Sequence, residues 1–174
     1  MRRLDKAAIL LTLTSYLIAA DAAEGLAKFI ENNIGLKDSL SLEQLRARVK
    51  SRQEKSSQLE NQHVPGQVDR IVILGDGKGL EVEAYVTGPG QVLIQRVTIT
   101  APQFKLPSGL QINRSSLDDV RRAFGEIGEN VKGPGGALAR RFYDPHPNGY
   151  EVSALFWFDR HQRLAGVEWR YPID

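Results

Sequence analysis

The chain contains no cysteine. That absence excludes disulfides, thiolate catalysis and cysteine-based structural zinc, and leaves the fold to be held by its apolar core alone. It also excludes lipid anchoring of the bacterial lipoprotein kind, which needs a cysteine at the cleavage point. Methionine occurs once, tryptophan twice, and aromatic residues make up only 7%. Neither sign of charge dominates: 23 Lys and Arg against 21 Asp and Glu give a net +2 over 174 residues. A chain so balanced has no general attraction for nucleic acid or an anionic membrane. With 41% hydrophobic and 25% charged residues, its composition is that of a folded chain of about one domain.

One apolar run stands out. Met1-Arg2-Arg3-Leu4-Asp5-Lys6 is followed by apolar and small residues from Ala7 to Ala20, then Ala20-Asp21-Ala22. A basic start, a short apolar stretch and an A-x-A site form the layout of a secretory signal peptide, cut after Ala22. The run falls short of the roughly 20 residues that span a bilayer, so no membrane span is expected after cleavage. Removal takes away Arg2, Arg3 and Lys6 with Asp5 and Asp21, leaving 20 basic and 19 acidic residues. The expected compartment is periplasmic or extracellular.

Residues 23–64 read as a helical segment and linker, and 65–174 as an α+β domain. Leu26, Phe29 and Ile30 lie on one helical face. Ser41 with Gln44 resembles a capping box, and Leu42, Leu45 and Val49 continue an apolar face. Residues 50–64 are polar all round and read as a helix tail or linker. From Gln67 the period becomes two. Ile71 and Ile73, then Leu80, Val82, Ala84 and Val86, then Leu93, Gln95, Val97 and Ile99 mark three strands joined by glycine-rich turns. Ser115 with Asp118 is the expected cap of a helix whose apolar face is Leu117, Val120 and Phe124, ending at Gly125. Residues 126–137 read as a glycine-rich loop. Three further strands follow, at Leu138 to Tyr143, Tyr150 to Phe158 and Ala165 to Tyr171. The expected fold is therefore an antiparallel sheet of about six strands, meander–helix–meander, packed with one or more helices.

Leu110-Gln111-Ile112-Asn113-Arg114-Ser115-Ser116-Leu117-Asp118-Asp119-Val120, with Phe124-Gly125, resembles the helix motif of small bacterial envelope domains. These are the SmpA/OmlA family, also called BamE, and the β-lactamase-inhibitor-like proteins. Phe156-Trp157-Phe158-Asp159, Leu164 and Val167-Glu168-Trp169 are similar to their closing hairpin. The resemblance covers about residues 106–171. Asn113 stands where the family has glycine, no proline follows Gly125, and the anchoring cysteine is missing. The resemblance implies protein–protein binding in the envelope, with function carried by the site and not by the fold.

Chemistry is harder to find. His63, His146 and His161 fall in turns or linkers, without the spacing of a metal pair. Gly75-Asp76-Gly77-Lys78-Gly79 lacks the length, the Ser/Thr and the following helix of a phosphate loop, and reads as a hairpin turn. Glu81, Glu83, Glu151 and Glu168 sit opposite apolar residues on their strands. They read as a solvated sheet face, or alternatively as the acid and base of a small periplasmic hydrolase or lyase that uses these strand carboxylates or His146. A carrier of a small apolar ligand is a further alternative. No cofactor or metal site is expected.

Arginine mixed with aromatics is a composition of protein interfaces. Trp157 and Leu155 fall on the strand face opposite Phe156 and Phe158. Either a helix covers them or they form an exposed patch. Trp157, Leu155, Arg140, Arg141 and Tyr143 are accordingly the candidate protein-binding surface. The expected function is that of an exported, non-catalytic module that binds another envelope protein as assembly factor, inhibitor or immunity-type partner.

Overall fold

The computed structural model describes residues 35–36, 40–61, 64–88, 90–104, 106, 109–124, 129–145 and 151–171. Of these, the side chains of 35–36, 142–145 and 151–152 are not described. The expected signal peptide, the Leu26–Phe29–Ile30 face, Gly125, His63, His146 and Tyr150 lie outside the described residues.

The chain runs β1 (Gly35–Leu36), α1 (Leu42–Val49), β2 (Gln53–Glu60), β3 (Val68–Gly75), β4 (Leu80–Gly88), β5 (Gln91–Ile99), α2 (Leu117–Phe124), β6 (Glu129–Lys132), β7 (Leu138–Pro145), β8 (Glu151–Phe158) and β9 (Leu164–Arg170). Eight strands form one antiparallel sheet in the order β2-β3-β4-β5-β9-β8-β7-β6. The short β1 adds to β5, Leu36 opposite Leu93. β5 thus divides its second edge: β1 takes the stretch at Leu93 and Ile94, and β9 takes Arg96–Ile99. The architecture is α+β and antiparallel, as the periodicity predicts, with two more full strands than the expected six.

Those two strands are the sheet edges. Residues 53–60, expected as helix tail or linker, pair with β3 residue by residue from Gln53–Gly75 to Glu60–Val68. Every residue of β2 is exposed, so neither face imposes the apolar alternation by which a half-buried strand is recognised. β6 is a four-residue strand inside the expected loop 126–137, joined to β7 by a turn at Pro134–Gly136.

One face of the sheet carries the core. Val72, Leu74, Val82, Ile94, Phe156 and Val167 are all fully buried there. On β3, Val72 and Leu74 point inward, and Ile71 and Ile73 are half-buried on the opposite face. On β5 the phase changes at a register shift beside Glu83/Ala84, where Glu83 faces Arg96 but Ala84 faces Ile94. Val92 and Ile94 are therefore buried where unbroken alternation predicts Leu93 and Gln95.

Both helices close this core. Ser41 and Gln44 form the expected reciprocal capping box, worth about 1 kcal/mol to the first turn of α1. Leu45 and Val49 are buried beneath it, each contributing about 1.5–3 kcal/mol over an exposed position. α1 thus docks on the sheet. In α2, Val120 is buried, and the Phe124 ring lies 5.1 Å from that of Phe156. The cap of α2 falls one residue later than expected. Ser116 N–H donates to Asp119 Oδ2 at 2.8 Å, and Asp119 N–H donates to Ser116 Oγ at 3.2 Å. Ser115 Oγ instead accepts from Gln111 N–H.

Candidate functional site

The predicted binding surface does not hold together as a set. β7 pairs with β8 so that Ala139 faces Trp157, Arg140 faces Phe156 and Arg141 faces Leu155. Alternation then sends Arg140 to the core side, and Arg141 with Leu155 and Trp157 to the outer side. Arg141 is met by Glu129 at 3.6 Å, and Leu155 is half-buried. Tyr143 pairs with Ser153 in the backbone ladder, and its side chain lies outside the described residues. Trp157 is only 8% exposed, so it offers no aromatic patch to solvent.

Glycine explains that burial. A Cβ added at Gly166, the cross-strand partner of Trp157, would overlap the six-membered ring of the indole. A Cβ at Gly133 would stand 3.0 Å from Cβ of both Ala139 and Trp157. The indole lies against the bare Cα of Gly166 on β9, and Gly133 of the β6–β7 turn packs beside Cβ of the same residue. α2 is on the other side of the sheet, against Phe156. The expected helical cover is therefore replaced by a glycine bed and a turn.

The outer face does gather the carboxylates singled out in the sequence. Glu81 and Glu83 on β4, and Glu168 on β9, converge on Arg96 of the intervening β5. Arg96 Nη2 lies 3.5 Å from Glu81 and in direct contact with Glu83, and Nη1 lies 3.8 Å from Glu168. Arg170 approaches Glu168 from its other side at 3.2 Å. The Glu83 and Glu168 side chains are only 18% and 15% exposed. Arg96 is thus a hub that neutralises charge which the sheet would otherwise leave poorly hydrated. Each carboxylate faces a guanidinium, an arrangement that fixes strands β4, β5 and β9 in register. Beside it Tyr85 is half-buried, and burial first, then the nearby Glu83 and Asp69 charges, raise its hydroxyl above the ordinary tyrosine range. The side chain of Glu151 lies outside the described residues.

The remaining polar motifs are structural. Asp76 Oδ1 accepts from the N–H groups of Lys78 and Leu80, at 2.7 and 2.9 Å. Gly79 at φ +109 packs its bare Cα against Ala101. The segment is the expected hairpin turn. His161 sits exposed in the β8–β9 turn, accepting from Arg160 Nε at 3.1 Å. Among the described residues no three His, Asp or Glu side chains assemble a metal site. No described helix is long and apolar enough to cross a membrane.

The feature that periodicity missed is the β2–β3 hairpin. Among the described residues four large hydrophobic side chains are exposed, and three belong to this hairpin: Leu59, Val64 and Val68, at 49%, 49% and 58%. They flank and cap a ribbon whose tip is held by its own hydrogen bonds. Asn61 N–H donates to Gln67 O at 2.8 Å, and Val64 N–H to Asn61 Oδ1 at 2.8 Å. Asn61 Nδ2 donates to Asp69 Oδ2 at 2.9 Å. At the base, Arg46 of α1 makes a bidentate contact to Glu54, 2.8 and 2.7 Å. These hydrogen bonds hold the Glu54 carboxyl below its ordinary range against the opposing effect of desolvation. Arg70 Nε donates to Ser56 Oγ at 3.1 Å. These bonds tie β2 to α1 at its base, to β3 along its length and, through Asn61, to Gln67 and Asp69, and isolated apolar residues in the turn region are the signal by which sequence alone would find the hairpin.

Compared with protein-family models, curated proteins and solved structures, the chain has no significant match.

Proposed function

We propose that this chain is an exported, non-catalytic binding module that engages another protein of the bacterial envelope through its β2–β3 hairpin. The observation that carries this reading is the hairpin itself. Leu59, Val64 and Val68 stay in water on a ribbon anchored by Arg46–Glu54 and Arg70–Ser56. Exposed apolar side chains on an element held by its own hydrogen bonds lower the ordering cost of association. The surface replaces the one expected around Trp157, which is packed on Gly166. The role as assembly factor, inhibitor or immunity-type partner follows from the resemblance over residues 106–171, and the envelope compartment from the leader layout of residues 1–22. The Arg96 cluster supports the non-catalytic reading, since its carboxylates are engaged in ion pairs across three strands.

The test is in-cell cross-linking of the tagged chain, beside a triple variant Leu59→Ser, Val64→Ser and Val68→Ser. The expected result is a bait starting near Ala23 with a stoichiometric partner that the variant loses while remaining folded. A bait that keeps Met1, or a variant that captures the partner equally well, contradicts the proposal.

A further inference from the structure

Among the described residues β2 is one edge of the sheet with no further strand beside it, and it differs from the other edge. β6 closes the far side with only four residues, whereas β2 offers eight, with no proline, glycine or register shift between Gln53 and Glu60. Short length, proline and bulges are the usual means of blunting an edge. β2 has only charge.

Its backbone phase is set by the bond from Asn61 N–H to Gln67 O. In an antiparallel ladder hydrogen-bonded pairs recur every second residue, so the odd-numbered residues of β2 bond to β3. The N–H and C=O groups of Glu54, Ser56, Gln58 and Glu60 point out of the sheet.

The charge along β2 has a direction. Arg52 and Lys55 lie toward its start, Glu60 at its end, and Glu54 is engaged by Arg46. Two such strands running antiparallel bring the positive start of one against the negative end of the other. We infer that a second copy of this chain pairs with β2 edge to edge about a twofold axis, extending the sheet across a dimer. Charge selects the register. Centred on Ser56, it brings Glu60 of the other copy to the start of the strand, beside the exposed Arg52, which precedes β2 and donates its N–H to Gly75 O, twice by symmetry. Centred on Ser57, it would set Glu54 against Glu60 twice. A net charge of +2 offers little repulsion to self-association. An interface that is isologous closes on itself and does not propagate into fibres. Of the hairpin's exposed apolar residues Leu59 lies in the paired stretch, whereas Val64 and Val68 lie outside it, so substituting Val64 and Val68 alone tests the envelope-partner reading apart from the dimer.

The test is sedimentation equilibrium on the protein in the form its host produces. Wild type is expected to give a reversible monomer–dimer equilibrium. Ser56→Pro deletes an outward N–H while sparing the backbone bonds to β3, and is expected to give monomer; Ser56→Ala, which removes only the side-chain bond from Arg70, is expected to keep the dimer. Glu60→Arg is expected to weaken association about tenfold or more by turning two attractions into repulsions, and Arg52→Glu combined with Glu60→Arg to restore it. A wild type that stays monomeric up to about 1 mM overturns the inference. So does a dimer indifferent to Ser56→Pro and Glu60→Arg, or a charge-reversed double variant that fails to recover.

Discussion

The indole of Trp157 rests on the backbone of Gly166, its direct partner across β8 and β9. The contact is possible only because residue 166 has no side chain. Cβ of the same tryptophan stands close to Gly133 of the β6–β7 turn, so Trp157 touches a glycine on each side, one on β9 and one near the sheet edge.

Replacing Gly166 with alanine is therefore expected to displace the ring and destabilise the fold by about 2–3 kcal/mol, the scale of overpacking in a filled site. Urea unfolding followed by tryptophan fluorescence checks this. The native spectrum should also shift to longer wavelength as the indole gains water. An unchanged midpoint would mean that the ring does not occupy this site.

Arg96 is the countercharge for Glu83 and Glu168, whose side chains are largely withdrawn from water. Arg96→Met keeps most of the bulk and leaves the carboxylates without their hub. The expected cost is about 2 kcal/mol in urea unfolding, below that of a fully buried pair because Arg96 remains partly solvated. Arg122→Met, whose exposed charge meets Asp119 at 3.0 Å, should cost less than about 1 kcal/mol.

Asp159 Oδ1 accepts from the N–H groups of Arg163 and His161, at 2.9 and 2.8 Å. The bond from Arg163 first, against a smaller desolvation effect, and then the bond from His161 hold this carboxyl below its ordinary 3.8. Asp119, bonded by Ser116, and Glu54, bonded by Arg46, are lowered likewise. A depressed folded-state value means the unfolded chain takes up protons first. The stabilisation is present above the ordinary carboxylate range and is lost as pH falls through the lower folded values. Stability should accordingly begin to fall below about pH 4.5. The gap between wild type and Asp159→Asn should narrow over the same range, measured as urea midpoints across pH. Parallel curves would show that the turn carboxylate contributes nothing through its charge.

Which parts of the fold were legible follows from which residues lie between core and solvent. β4 and β8 read clearly because Val82 and Ala84, or Phe156 and Phe158, alternate with residues of the outer face. α2 read clearly too, but its cap was placed one residue early, since Ser115 and Ser116 are each followed three residues later by aspartate. β2 was illegible because water lies on both its faces, and periodicity records only a difference between faces. The inward residues of β5 were misassigned where a register shift moves the phase beside Glu83.

The candidate site fared differently. Glu81, Glu83 and Glu168 could be placed on an outer face from alternation alone. Arg96 became their common partner only once β5 lay between β4 and β9. Alternation leaves Trp157 either covered by a helix or exposed; it is buried instead against two glycines, one 9 residues along the chain and the other in a turn before β7. Nothing local to Phe156-Trp157-Phe158 signals either.

The most direct test of the central claim is site-specific photo-cross-linking in the living cell, with a photoreactive residue placed in turn at Leu59, at Val68 and at Glu43. Positions 59 and 68 flank the hairpin tip, whereas Glu43 is exposed on α1, away from it. The account predicts one discrete envelope-protein adduct from 59 and 68 and none from 43. Equal labelling from all three positions, or adducts with cytoplasmic proteins alone, would contradict it.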